Sequence, residues 1–204
     1  AVIGNPPYVF GRDWKVLGIS DLMKEYLKRK YPSSPYQLDM FSIFIEKSSF
    51  ICNFDGFVGL IVPNIWLTNI YSSTTRNFIL KQSDNLIIVN PPKNVFYGLT
   101  VDTIIFSFKR SKKPSKEFSV YNIDEQKSRI VDGKKYLVKD YIDGKKPIST
   151  KLSYDFIDRI FNDYEKLHSF ADITRGIHPY RTGGYGKSAY GNHHQTNKML
   201  KEDH

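Results

Sequence analysis

The sequence predicts an α/β fold: the second half of a doubly wound sheet, finished by antiparallel strands. Three observations carry this. Apolar strand-like runs at 57–62 and 86–89 alternate with stretches of helical spacing, the pattern of a sheet layered with helices. The run Phe57-Val58-Gly59-Leu60-Ile61-Val62 is apolar on both faces, as strands of a covered parallel sheet are. After residue 100, two strand-like segments flank a basic turn, which reads as a hairpin.

In chain order, Val2 and Ile3 read as the end of a buried strand, followed by Asn5-Pro6-Pro7-Tyr8. Each proline fixes φ near −65° and lacks an N–H, and Asn5 and Pro6, each preceding a proline, are held extended. The loop is therefore stiff. It can present the Asn5 side chain and the Pro6 carbonyl as two fixed acceptors beside an aromatic ring, an arrangement suited to one flat amino group. A plain Pro-Pro turn is compatible with the same four residues.

Residues 10–37 are polar with scattered aromatics, among them Phe10, Trp14 and Tyr26. Ser20-Asp21 predicts a helix start, with Lys28-Arg29-Lys30 at its end and Pro32 and Pro35 beyond. The segment is placed to act as a lid or as a plain connection. Leu38, Phe41, Phe44, Ile45 and Cys52 give a helix with one wide apolar face, stopped at Asn53–Gly56. The strand 57–62 ends at Pro63, residues 72–82 form a second helix, and Leu86–Val89 a further strand. Asn90-Pro91-Pro92-Lys93 repeats most of the opening motif without its aromatic ring and reads as a turn. Val101–Phe108 and Phe118–Tyr121 are the expected hairpin strands, joined by the turn Lys109–Lys116. From Asn122 to Thr150 the chain is polar, with turns at Asp132-Gly133 and Asp143-Gly144 and a short strand at Tyr136–Val138. Ser153–His168 is expected to be one helix. The domain boundaries follow: 1–123 as the sheet, 124–170 as a linker with a short strand and a helix, and 171–204 as the start of a further domain.

Composition narrows the partners. The 204 residues carry a net charge of +9, which favours a polyanion, nucleic acid before membrane surface. The single Cys52 excludes an internal disulfide framework and fits a reducing compartment, so a cytoplasmic setting is expected. No run approaches the roughly 20 apolar residues of a bilayer span, and no membrane partner is expected. His193-His194 lacks metal-ligand partners at usable spacing, so no metal is expected. Gly183–Ser188 lacks the glycine that a phosphate loop needs where Arg181 stands. A strand ending at residue 3 suggests a piece of a longer protein.

With these elements placed, the chain resembles the bacterial N6-adenine DNA methyltransferases of restriction–modification systems, in the branch where the donor-binding half precedes the catalytic half. Asn5-Pro6-Pro7-Tyr8 matches the catalytic motif. Leu38-Asp39-Met40-Phe41, Phe44-Ile45-Glu46-Lys47 and Gly59-Leu60-Ile61-Val62-Pro63 match the helix and strand that follow it. Val95-Phe96 and Val101–Ile105 match the later aromatic segment, and Asp172–Ile177 resembles the start of the target-recognition domain.

The resemblance implies the C-terminal half of a Rossmann-like S-adenosylmethionine-dependent methyltransferase sheet, a helical linker and the beginning of a recognition domain. It implies that Asn5, Pro6, Pro7 and Tyr8 form the catalytic loop. Tyr8 and Phe96 would sandwich the flipped adenine, with Tyr97 the rival for the second face. Lys109, Arg110, Lys112 and Lys113 could touch the DNA backbone. The donor site would lie upstream of residue 1, so the isolated chain is expected to be inactive. Double-stranded DNA is the expected partner, a fused or associated restriction nuclease is compatible, and an uncovered sheet flank would favour self-association. Two other readings stay open: a glutamine-amide or RNA-base methyltransferase sharing the same loop, and a non-catalytic DNA-binding fragment.

Overall fold

A computed structural model describes residues 1–35, 38–92, 101–124, 129–144, 146–150, 159–160, 164–165 and 167–171. The chain divides into two units, Ala1–Phe161 and Asn162–His204. In the second, the described residues form a 3-10 turn at Leu167–Ser169.

The first unit carries a six-stranded sheet. Its strands are β1 (Val2–Gly4), β2 (Phe57–Pro63), β3 (Ser83–Asn90), β4 (Thr103–Arg110), β5 (Glu117–Asp124) and β6 (Arg129–Leu137). The spatial order is β1-β2-β4-β3-β5-β6. β1 and β2 are parallel, as are β3 and β5; β4 runs antiparallel to both its neighbours, and β6 runs antiparallel to β5. The α/β class, with an antiparallel end, is as the sequence predicts. α1 (Asp21–Lys30) is capped by Ser20, whose hydroxyl accepts from Met23 N. α2 (Met40–Ile51) and α3 (Ser73–Gln82) follow.

Register builds the core. Leu60, Phe106, Ile88 and Val120 stand in one row across four strands, and all four are buried. Phe41 and Ile45 of α2 and Ile79 and Leu80 of α3 complete the same cluster, so both helices cover that face. The opposite row, Ile61, Ile105, Val89 and Tyr121, is less covered among the described residues, with Ile105 at 39% exposure. A second, smaller cluster of Trp14, Tyr31, Leu38 and Ile43 holds the segment between β1 and α2.

The expected hairpin does not form. β3 lies between β4 and β5, and β5 pairs with it in parallel. β3 is apolar enough to need a neighbour on each side. The basic link is long enough to step around its start, where Ser111 N donates to Gln82 O at 3.0 Å and Ser115 N to Ser83 O at 3.0 Å. The last strand is also longer than 136–138: β6 begins at Arg129, and Val138 opens a 3-10 turn instead. Asp132-Gly133 is thus strand rather than turn. The Tyr121 ring lies over Gly133, where a Cβ would come within 2.3 Å of Tyr121 Cε1, so any larger residue here would have to push the ring aside. Asp143, at φ 60°, keeps its turn role.

The single helix over 153–168 is not continuous. Arg159 and Ile160 are helical, most of the stretch lies outside the described residues, and Tyr164 and Glu165 are not helical. Ile160 and Leu167 are 41% and 65% exposed.

Candidate active site

The site starts where β1 ends. Gly4 pairs with Leu60, and the chain then leaves the sheet as Asn5-Pro6-Pro7-Tyr8 at the carboxyl end of β1. β2 is parallel to β1 and ends there too, at Pro63. β4 is antiparallel, with Thr103 opposite Pro63, so it enters at this end. β3 also ends there, at Asn90. Three loops and one strand start therefore crowd one rim of the sheet. In open α/β sheets, ligands bind outside the carboxyl ends of the strands.

Within the motif, Pro6 is buried and Asn5 is exposed. The proline anchors the loop, and the Asn5 amide faces solvent. Tyr8 is half-buried, and its hydroxyl donates to the Ile61 carbonyl at a long 3.4 Å. Burial raises the Tyr8 phenol above its ordinary value, so the ring stays neutral at physiological pH. One end of the ring is tethered to β2.

The loop is braced from α2. Met40 N donates to Val9 O at 2.9 Å, and Gly11 N donates to Asp39 Oδ1 at 2.9 Å. Asp39 precedes α2 as a capping residue would, yet its carboxylate makes no bond to its own helix. It holds the segment that follows the Asn-Pro-Pro-Tyr motif instead. Burial, the largest effect, raises the Asp39 pKa, against the lowering influences of Gly11 N–H and Arg12. The sequence shows an acidic residue before an apolar helix, which signals a cap; its partner across 28 positions is visible only in the fold.

Phe96 and Tyr97 lie outside the described residues. Their segment leaves the sheet after Asn90 and returns at Thr103, both at the motif rim, and Asn64 N donates to Asp102 O at 2.9 Å there. The second Asn-Pro-Pro is occupied structurally: Asn90 Nδ2 donates to Asn122 Oδ1 at 3.0 Å.

The basic turn is at the other end. Lys109 stands opposite Phe57, six positions along β2 from Pro63, roughly 20 Å at about 3.3 Å per residue. Its ammonium pairs with Asp55 at 2.7 Å, which raises its pKa. Arg110 donates to the Cys52 carbonyl at 2.5 Å and the Phe50 carbonyl at 3.3 Å, closing the end of α2, and lies 4.3 Å from the Phe54 ring centre. Lys112 lies 4.9 Å over the same ring, and Lys113 is exposed. The fold places Lys109, Arg110, Lys112 and Lys113 at the end of the sheet away from the loop.

S-adenosylmethionine, the donor that the resemblance implies, needs partners for a ribose diol. Among the described acidic groups, Asp39 is bonded to Gly11 and Asp13 lies 3.7 Å from Arg12; no donor-binding role is assigned to these residues. Among the described residues no group of His, Cys, Asp and Glu is arranged to hold a metal ion.

Residues 1–96 match the Eco57I restriction-modification methylase family. The Escherichia coli type II restriction enzyme and methyltransferase RM.Eco57I is 26% identical over 185 residues, 86% of this chain and 18% of that protein. The Haemophilus influenzae type II methyltransferase M.HincII is 30% identical over 133 residues, 62% of this chain and 25% of that protein. The chain thus spans a quarter or less of these curated relatives. Among solved structures, a nuclease-deletion mutant of the Type ISP restriction-modification enzyme LlaGI, in complex with a DNA substrate mimic, superposes with a TM-score of 0.55 at 16% identity, over 76% of this chain and 18% of that one; this supports the fold. Over residues 1–96 by the family model, and over most of its length by RM.Eco57I, the chain is similar to restriction–modification methyltransferases.

Proposed function

We propose that the natural protein carrying this chain transfers a methyl group from S-adenosylmethionine to the N6 amino group of a flipped-out adenine in double-stranded DNA, within a restriction–modification system. One observation carries the reading: a stiff Asn-Pro-Pro-Tyr loop stands at the carboxyl rim of the sheet, with its proline buried, its Asn amide exposed and its Tyr ring tethered. The donor supplies an electrophilic methyl group. This chain's residues act on the acceptor. The adenine nitrogen is a weak nucleophile because its lone pair is delocalised into the ring. Asn5 Oδ1 and the Pro6 carbonyl accept hydrogen bonds from its two N–H groups and favour a more tetrahedral nitrogen. Positive charge then develops on that nitrogen, and fixed acceptors stabilise it as donors do an oxyanion. The new N–C bond replaces the methyl–sulfur bond, and one N–H proton is then lost to solvent. The neutral Tyr8 face adds about 0.5–2 kcal/mol of cation–π attraction. Phe96, from the segment that leaves and re-enters at the same rim, covers the other face; stacking on such rings offsets the cost of extrusion.

The assay is direct. The natural protein is given tritiated S-adenosylmethionine with unmethylated duplex DNA, with a glutamine-bearing release-factor protein, or with RNA. Label in DNA as N6-methyladenine is expected. Label in protein or RNA alone would replace this reading with the amide or RNA-base alternative. DNA binding with no label in any substrate would favour a non-catalytic role.

A further inference from the structure

The segment after the catalytic loop carries a feature that the methyl transfer does not use. Trp14 is fully buried, and Ile19 packs against the same small cluster. Between these two anchors the chain turns outward. Leu17 N donates to Asp13 O at 3.0 Å, Gly18 N to Lys15 O at 3.2 Å and Ile19 N to Trp14 O at 3.0 Å. Gly18 takes φ +68°, a conformation glycine adopts without strain. The tip of this rigid turn is Val16 and Leu17, 88% and 56% exposed. A lone exposed aliphatic residue is ordinary. Here two adjacent ones are held out on a backbone fixed by a buried tryptophan. Arg12, with 80% of its side chain exposed and 3.7 Å from Asp13, and Lys15, also exposed, precede the tip, and Asp21, paired with Lys24 at 2.9 Å, follows it. The same segment is bonded to α2 through Val9 and Gly11, next to Tyr8. An apolar tip preceded by two exposed cations can meet a polyanion with an apolar interior, which is what a stacked duplex is.

We propose that the Lys15–Gly18 turn is a wedge that enters the DNA duplex beside the catalytic loop. Val16 and Leu17 fill the stacking space left by the extruded adenine, while Arg12 and Lys15 contact the flanking phosphates. In DNA-bending proteins, apolar side chains inserted between base steps unstack and kink the duplex. The inference rests on the adenine reading above.

The test uses the natural protein, with the methylated position first located as N6-methyladenine in the DNA of cells expressing it. Wild type and the double variant Val16→Ser, Leu17→Ser are assayed on two duplexes. One carries the target adenine paired with thymine; the other carries it opposite an abasic site, where extrusion is already cheap. The double variant is expected to lose about ten-fold or more on the paired duplex while staying within about two-fold of wild type on the abasic one. Both side chains are exposed, so the thermal midpoint should not move. Equal rates for both proteins on both duplexes would overturn the wedge, and so would an equal loss on both. A change in oligomeric state by light scattering, with methylation unaltered, would make the turn a contact between copies instead. Failure of wild type to methylate adenine in either duplex would overturn the adenine reading itself.

Discussion

At the residue scale, Tyr8 separates two roles that one side chain could play. Its ring face is proposed to cover the base, and its hydroxyl donates to Ile61 O at 3.4 Å. A bond that long contributes little, at most about 0.5–1 kcal/mol. Tyr8→Phe should therefore keep methylation within about ten-fold of wild type, whereas Tyr8→Ala should lose roughly 10–10³-fold from cation–π and stacking together. Single-turnover methylation of duplex DNA measures both. Equal, severe losses in the two variants would mean that the hydroxyl, rather than the ring, matters. The four motif residues are legible from sequence because prolines dictate their own backbone. The tether to Ile61 is not, since it depends on β1 and β2 being parallel neighbours across 53 positions.

At the element scale, the joint between the loop and α2 turns on Asp39. Its carboxyl is raised above its ordinary 3.8 by burial. For a group whose folded value is raised, the unfolded state releases its proton first. Stability is then fully present below pH 3.8 and falls as pH rises through the folded value. Asp39→Asn keeps an oxygen for Gly11 N–H but has no charge to bury. Urea unfolding across that window should show the wild type losing stability with rising pH relative to the variant, and at pH 7 the variant should be at least as stable. A variant that is less stable at pH 7 would show that the negative charge itself holds the loop. The helices α1, α2 and α3 and the strands β2 and β3 follow from periodicity, capping and apolar runs, which are local properties. The hairpin expectation fails because strand order is not local: nothing in Lys109–Lys116 states that it rounds the start of β3. In sequence β6 reads as mostly turn because Asp132-Gly133 looks like one, and only the Tyr121 ring shows why a glycine stands in a strand.

At the scale of the whole molecule, the sheet has two ends with different chemistry. Twelve residues of α2 span about 18 Å, from the loop brace at Met40 to the Cys52 carbonyl held by Arg110. The sequence makes the basic turn the most conspicuous cationic feature; the topology places it at the end away from the loop. Replacing Lys109, Lys112 and Lys113 together with Gln should leave the salt dependence of DNA binding unchanged. Removing a cation that neutralises one phosphate would lower the slope of log K against log salt by about 0.9, so a fall of about 2 or more would return these residues to the DNA interface. β1 pairs with β2 alone among the described strands, and an open edge is a template for another strand. Light scattering of the 204-residue chain should therefore detect species larger than a monomer; a monodisperse monomer would contradict that.

All of this hangs on the loop at the rim being the place where the amino group is held. The most direct test is Asn5→Ala in the natural protein, with DNA binding and methylation measured side by side on unmethylated duplex. Asn5 is exposed, so the fold should survive. Binding should stay near wild type while the methylation rate falls roughly 10²–10³-fold, the loss seen when one fixed transition-state partner is removed. Methylation at the wild-type rate would contradict the assignment of Asn5-Pro6-Pro7-Tyr8 as the catalytic loop.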